Sequence, residues 1–219
     1  AGISNDALII AGGMRMKRGK PVWRDEISVL EMDENGRPQW HEGGKLPYKI
    51  GNGASITTED GRLCVGGCGP SICYGGILQL TWNRASREVE VKVYANLPKP
   101  LGYAAATVSG NTLYVAGGLV TPLVPVAQST FMALELVPGA RWKTLPAWDG
   151  PARVFPVLAA QQVGGSEKVF LFSGRLEDPL KANQAHRDVH CYDPATQTWT
   201  KGNDAPRCFT AGMALPLEG

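Results

Sequence analysis

The chain has 219 residues, 43% of them apolar and 19% charged, with 27 Gly, 16 Pro and a formal net charge of +2. That length and apolar share suit one domain with a sizeable core, and the Gly and Pro content suits a turn-rich all-β protein rather than a disordered chain. The near-neutral balance excludes the basic stripe that nucleic-acid binding needs, and no window nears the roughly 18 consecutive apolar residues of a membrane-spanning helix.

Taken in order, the chain opens at Ala1-Gly2-Ile3-Ser4-Asn5-Asp6 without an initiator Met, a basic segment or an apolar leader, and this opening reads as the tail of an innermost strand. A hydrophobic strand closing on a small pair then recurs four times: Leu8-Ile9-Ile10-Ala11-Gly12-Gly13, Leu63-Cys64-Val65-Gly66-Gly67, Leu113-Tyr114-Val115-Ala116-Gly117-Gly118 and Val169-Phe170-Leu171-Phe172-Ser173-Gly174. The pairs begin at 12, 66, 117 and 173, so the steps are 54, 51 and 56 residues. Before three of the pairs stand strands of small residues (53–58, 104–108 and 157–160), joined by hairpins with Gly or Asn where positive φ is required. After each pair come a longer loop and a third strand, at 26–32, 76–82, 130–137 and 188–192, and then an outer strand carrying Trp40, Val91 or Tyr94, Trp142 and Trp199. An aromatic at that place is expected to pack between neighbouring sheets. The exits correspond as well: Leu46-Pro47-Tyr48-Lys49, Leu97-Pro98-Lys99-Pro100, Gly150-Pro151-Ala152-Arg153 and Ala205-Pro206-Arg207.

A repeat of roughly 50 residues built this way resembles the kelch motif, one four-stranded antiparallel blade of a β-propeller. One domain is expected over 1–219, with blades at about 1–47, 48–98, 99–151 and 152–206, and 207–219 as the first strand of a further blade. Both termini then fall inside a blade. The chain reads as a partial propeller with four blades of an expected six, because an open arc would leave strand edges and a blade face uncovered. The alternative is a four-bladed ring closed by residues 208–215.

Five Cys stand at 64, 68, 73, 191 and 208. The spacing of Cys64, Cys68 and Cys73, with no His nearby, does not match the usual zinc patterns, so no metal is expected. Packed or loop thiols are the leading reading and a single disulfide the next.

The resemblance is closer than kelch in general. The opening block Ala1 to Gly13, the segment Trp23-Arg24-Asp25-Glu26-Ile27 and the later Leu97-Pro98-Lys99-Pro100-Leu101-Gly102-Tyr103-Ala104-Ala105 resemble the N-acetylneuraminate epimerase (sialic acid mutarotase) family, in its cyclically permuted branch. The resemblance implies a six-bladed propeller that interconverts the α and β anomers of N-acetylneuraminate without a cofactor, usually in the periplasm. It implies a small anionic sugar as partner, with no nucleic acid and no membrane insertion; nothing in it sets the oligomeric state. The family's Gly-Glu-x-x-x-Gly-x-Arg motif has no match here, since Ser173-Gly174-Arg175-Leu176-Glu177 has another order, and its Glu and Arg are expected beyond Gly219. A kelch interaction module or a carbohydrate-binding module without catalysis is the alternative. A copper site on such a propeller would need more ligands than three His supply.

Loops leaving the outermost strand and loops between the second and third strands converge on one mouth of a propeller channel. Candidate substrate-binding residues are therefore the exit residues Lys99, Arg153 and Arg207, with Tyr103, and Arg24 and Arg187 before the third strands. Tyr48 departs from the Arg frequent among relatives at an exit, and Asn52 from the Tyr that Tyr103 keeps. A cation can hold a carboxylate, Arg bidentately. Arg24 and Arg187 precede Asp25 and Asp188, so ion pairing among these four is the plain structural reading. Five cations at 15–24 read as a solvated loop or a funnel for an anion. His186 alone of the His lies in a mouth loop and is the weak catalytic candidate; His41 reads as exposed and His190 as packed.

Overall fold

A computed structural model describes residues 1–212 and 214. Its strands form four four-stranded antiparallel sheets and one two-stranded ribbon, with no helix among the described residues. The first sheet holds β1 (Gly2–Ser4), β2 (Ala7–Ala11), β5 (Glu26–Met32) and β6 (Pro38–Lys45), and β3 (Met14–Lys17) with β4 (Lys20–Trp23) is the ribbon between its second and third strands. The second holds β7 (Ala54–Thr58), β8 (Gly61–Cys68), β9 (Cys73–Asn83) and β10 (Glu88–Val93). In the third are β11 (Gly102–Ser109), β12 (Thr112–Leu119), β13 (Phe131–Glu135) and β14 (Lys143–Thr144), and in the fourth β15 (Val157–Val163), β16 (Ser166–Phe172), β17 (Val189–Asp193) and β18 (Thr198–Lys201). These are the blades of a kelch-type β-propeller.

Strand alternation explains the stacking. Side chains of successive residues leave opposite faces of a strand, so a blade covered on both faces is apolar at nearly every position. In β9, Leu78, Leu80 and Trp82 pack on Ala7, Ile9, Ile27 and Val29 of the first blade. The preceding Ile77, on the opposite face, joins Leu63, Val65, Leu113, Val115 and Met132 in the core between the second and third blades. Likewise Tyr114 and Ala116 turn from that core to the next, with Phe131, Leu171 and Tyr192. Trp142 and Trp199 reach across blades as expected, their indole N–H groups donating to the Ala95 and Pro146 carbonyls at 3.1 and 2.8 Å. Trp40 does not: it is 59% exposed, because the first blade turns it away from the second. His190 is buried as read, whereas His41 is half-buried, 3.0 Å from Glu31 and stacked on Trp82.

The small pairs join one blade to the next. The second residue of each donates its N–H to a carbonyl at the following exit: Gly13 to Ile50 at 2.6 Å, Gly67 to Leu101 at 2.7 Å, Gly118 to Arg153 and Gly174 to Phe209, both at 2.9 Å. The first residue has φ near +60°, and a Cβ on Gly66 would lie 2.2 Å from the Leu101 oxygen. Ser173 occupies this place in the fourth blade at φ 61°, and its hydroxyl accepts from the Phe209 N–H and donates to the His186 carbonyl at 3.0 Å.

A second repeating contact rims the channel. Asn52, Tyr103, Phe155 and Ala211 all adopt positive φ, and backbone N–H groups donate from Tyr103 to Asn52 at 2.7 Å, from Phe155 to Tyr103 at 2.7 Å and from Ala211 to Phe155 at 3.3 Å. Of the strand expected at 207–219, residues 207–212 pair with no named strand, and Met213 and 215–219 lie outside the described residues.

The cysteines correct the leading reading of free thiols. Cys68 and Cys73 form a disulfide, while Cys64, Cys191 and Cys208 are free. The two partners lie directly opposite each other in the β8–β9 ladder, a proximity that linear spacing does not reveal.

Candidate functional site at the channel mouth

The innermost strands β1, β7, β11 and β15 line a cavity of about 690 Å³. Its walls are small residues such as Ala54, Ala104, Ala105 and Ala106, and its rim at one end is Asn52, Tyr103 and Phe155. These three side chains stand at the rim because their residues lie at or just before the starts of the innermost strands, where the positive-φ contact turns each chain into the channel.

Above the rim, the long loop of the fourth blade supplies Arg175 and Glu177. Arg175 exchanges backbone hydrogen bonds with Val154 at 2.9 and 3.0 Å, and the Ala127 N–H donates to the Glu177 carbonyl at 2.7 Å, which ties the loop to the segment that leads to Phe155 and to the third blade's loop. The Arg175 guanidinium lies 5.4 Å from the Phe155 ring centre, and Phe155 meets Tyr103 edge-on at 4.8 Å. Glu177 Oε2 stands 2.8 Å from Arg175 Nη2, off the line of a hydrogen bond. That oxygen and Arg175 Nε are buried with no hydrogen-bond partner among the described residues. Burial, and then the Glu177 charge, raise the Tyr103 phenol above its ordinary pKa, while a hydrogen bond with the Asn52 side chain and the Arg175 charge pull the other way.

The predicted cations divide by burial. Lys99, Arg187 and Arg207 are exposed and in no ion pair among the described residues. Arg24 pairs with Glu26 at 2.9 Å rather than with Asp25. Arg153 is fully buried: it meets Asp188 bidentately at 2.9 and 2.7 Å, donates to the Ser173 and Pro151 carbonyls and covers the Trp148 ring. His190 Nε2 adds a 2.8 Å contact to the same carboxylate. Burial pushes the Asp188 carboxyl up, but the hydrogen bonds from Arg153 and His190 outweigh it and hold its pKa at about 2. Asp188 thus pairs with Arg153, across 35 positions, instead of with Arg187 beside it, and this guanidinium is occupied by the protein.

His186 is buried behind that ion pair, its Nε2 without a partner among the described residues. Burial and then the Arg153 charge lower its pKa, so it is uncharged at neutral pH, and it does not line the cavity. The cationic stretch at 15–24 is a β-hairpin, not a loop. Arg18 and Gly19 turn it at φ 51° and 75°, Met14, Met16, Pro21 and Trp23 share one face, and Arg15, Lys17 and Lys20 lie on the other. Arg175 and Glu177 belong to the 175–187 loop between second and third strands, one of those expected at the mouth, but no motif singles them out within it.

Comparison with known proteins follows the same line. The chain is 30% identical over 128 residues to N-acetylneuraminate epimerase of Pasteurella multocida (strain Pm70). The match covers 58% of this chain and 31% of the relative, so the chain spans about a third of the curated relative it matches. The structure of YjhT superposes with a TM-score of 0.76 over 96% of this chain and 71% of YjhT. At 10% identity, that likeness establishes the shared fold. No family model matches the chain. The similarity to N-acetylneuraminate epimerase read from the opening block is thus found independently by sequence comparison.

Proposed function

We propose that this chain is part of a cofactor-independent mutarotase that interconverts the α and β anomers of N-acetylneuraminate. Its blades fall at about 1–47, 48–98, 99–151 and 152–206, with 207–219 opening another in a propeller of six. The observation that carries the reading is the 30% identity to N-acetylneuraminate epimerase, which spans more than half of the chain. The channel mouth supports it: a cavity walled largely by small residues and rimmed by Asn52 and Tyr103 suits a compact polar sugar. Mutarotation needs one group to take the proton of the anomeric hydroxyl and another to protonate the ring oxygen, which requires no metal or redox cofactor. The Cys68–Cys73 disulfide supports an oxidising compartment, in keeping with a periplasmic or secreted protein.

Polarimetry tests the reading. Freshly dissolved crystalline β-anomer relaxes to its equilibrium rotation, and the full-length protein at micromolar concentration is expected to speed the relaxation in proportion to enzyme. A relaxation rate independent of enzyme concentration contradicts the reading.

A further inference from the structure

We infer that Tyr103 and Glu177 are an acid–base pair for ring opening at the channel mouth, with Arg175 holding the substrate's anionic group, an assignment that rests on the mutarotase reading above.

Three observations carry it. First, the groups converge from different blades onto one rim: Tyr103 opens β11 in the third blade, Arg175 and Glu177 belong to the fourth blade's loop, and Phe155 touches both Tyr103 and Arg175. Second, they have unused capacity. A buried carboxylate oxygen and a buried guanidinium N–H without hydrogen bonds are costly unless a ligand or water completes them. The Arg153–Asp188 pair, with both oxygens hydrogen-bonded, shows what a completed structural pair looks like in this same blade. Third, the chemistry is complementary: a phenol kept protonated can donate, a carboxylate can accept, and the partly exposed Arg175 guanidinium can hold a carboxylate. The positive φ of Tyr103 is not part of the case, since Asn52, Phe155 and Ala211 share it as a device of the fold.

The step balances without any further reactant. Glu177 takes the proton from the anomeric hydroxyl, the electron pair of that O–H bond forms the C=O bond, and the bond from the anomeric carbon to the ring oxygen breaks. The ring oxygen takes the Tyr103 proton, leaving phenolate. After rotation of the keto group, the chain hydroxyl attacks the other face of the carbonyl and returns its proton to Tyr103, and Glu177 returns its proton to the former carbonyl oxygen. Both residues end as they began.

The test uses the full-length protein and saturation transfer between the anomeric resonances of N-acetylneuraminate, with affinity read from a parallel titration. Tyr103→Phe and Glu177→Gln are each expected to lower the exchange rate constant by about 100-fold or more while affinity changes only a few-fold, the signature of a lost proton-transfer group. Glu177→Asp is expected to recover part of the rate. If the wild type does not accelerate exchange, the mutarotase reading itself fails. If it does and either variant keeps the wild-type rate, the acid–base assignment is overturned. A wild-type pH profile keeps the test sharp where a variant fails to fold. With Glu177 and Arg175 as the charges facing the phenol, the rate is expected to fall only above the ordinary phenol range, and a rate that falls within or below the ordinary range, or that does not fall above it, overturns the role of Tyr103.

Discussion

At the scale of the residue, the arginine at the third exit and the arginine above the mouth do opposite jobs. Arg153 satisfies a buried carboxylate; Arg175 leaves a buried N–H unspent. Truncating Arg153 to Ala strips the largely buried Asp188 carboxylate of its bidentate partner and leaves it only the His190 contact, and this is expected to cost about 3 kcal/mol in a chemical denaturation experiment. The same carboxylate sets an acid limit. Its folded pKa of about 2 lies below the value of 3.8 ordinary for Asp. A depressed folded pKa gives stability that is fully present above the unfolded value and is lost as pH falls through the folded one. The contribution, about 2 kcal/mol, is therefore whole at neutral pH and disappears between roughly pH 4 and pH 2. Denaturation midpoints for wild type and Asp188→Asn across that interval are expected to converge as pH falls. Little of this was legible beforehand. The Arg-Asp order at 187–188 drew attention to a local pair, but Arg187 is exposed and the true partner stands 35 positions upstream. Arg175 and Glu177 carry no motif, and their meaning comes from a loop seated above a tyrosine more than seventy residues earlier.

At the scale of the element, the small-pair strand is the most legible feature. Four recurrences at steps of 51 to 56 residues point directly to the hydrogen bonds that join each blade to the next, because in the first three blades a Cβ on the leading glycine would collide with the exit carbonyl. Gly66→Ala puts a Cβ 2.2 Å from the Leu101 oxygen at a φ of +56°, and is expected to destabilise the fold by about 2–4 kcal/mol in thermal or chemical melts. Other elements were less legible. The hairpin β3–β4 reads as a charged loop because its alternation, Met14 and Met16 against Arg15 and Lys17, is masked by the surrounding cations. The disulfide is hidden because ladder register, not sequence spacing, sets Cys68 against Cys73. That bridge also steadies the rim. Cys68 exchanges backbone hydrogen bonds with Gly51, beside Asn52, and its sulfur sits where Gly102, beside Tyr103, would carry a Cβ. Replacing both cysteines by Ser is expected to lower stability by about 2 kcal/mol, from the chain entropy of a short loop. Comparing denaturant midpoints with and without a reductant checks it, the wild type alone responding.

At the scale of the whole molecule, blade stacking is a sequence of shared cores, each made by alternate residues of two neighbouring sheets. The pattern was legible because strands buried on both faces lose the usual polar alternation, as in Leu113-Tyr114-Val115-Ala116, where Leu113 and Val115 turn to one neighbouring blade and Tyr114 and Ala116 to the other. Among the described residues no blade packs on the far face of the first. There Ile3, Leu8, Leu30 and Trp40 are consecutive partners across all four strands, and Ile3 and Trp40 are 47% and 59% exposed. A row of that kind favours association. The 219-residue chain in isolation is expected to sediment as concentration-dependent oligomers, and Trp40→Gln combined with Ile3→Thr to shift it toward monomer. Fold class was thus open to sequence reading, while the site was not, because the mouth exists only once four blades bring Asn52, Tyr103, Phe155 and the Arg175–Glu177 loop around one channel.

The measurement that bears most directly on this account is a crystal structure of the full-length protein with N-acetylneuraminate. The sugar is expected at the rim of the channel, its carboxylate within hydrogen-bond distance of Arg175 and its ring oxygen near the Tyr103 hydroxyl. Density for the sugar on an outer blade face or at the opposite end of the channel, with the rim unchanged, would contradict it.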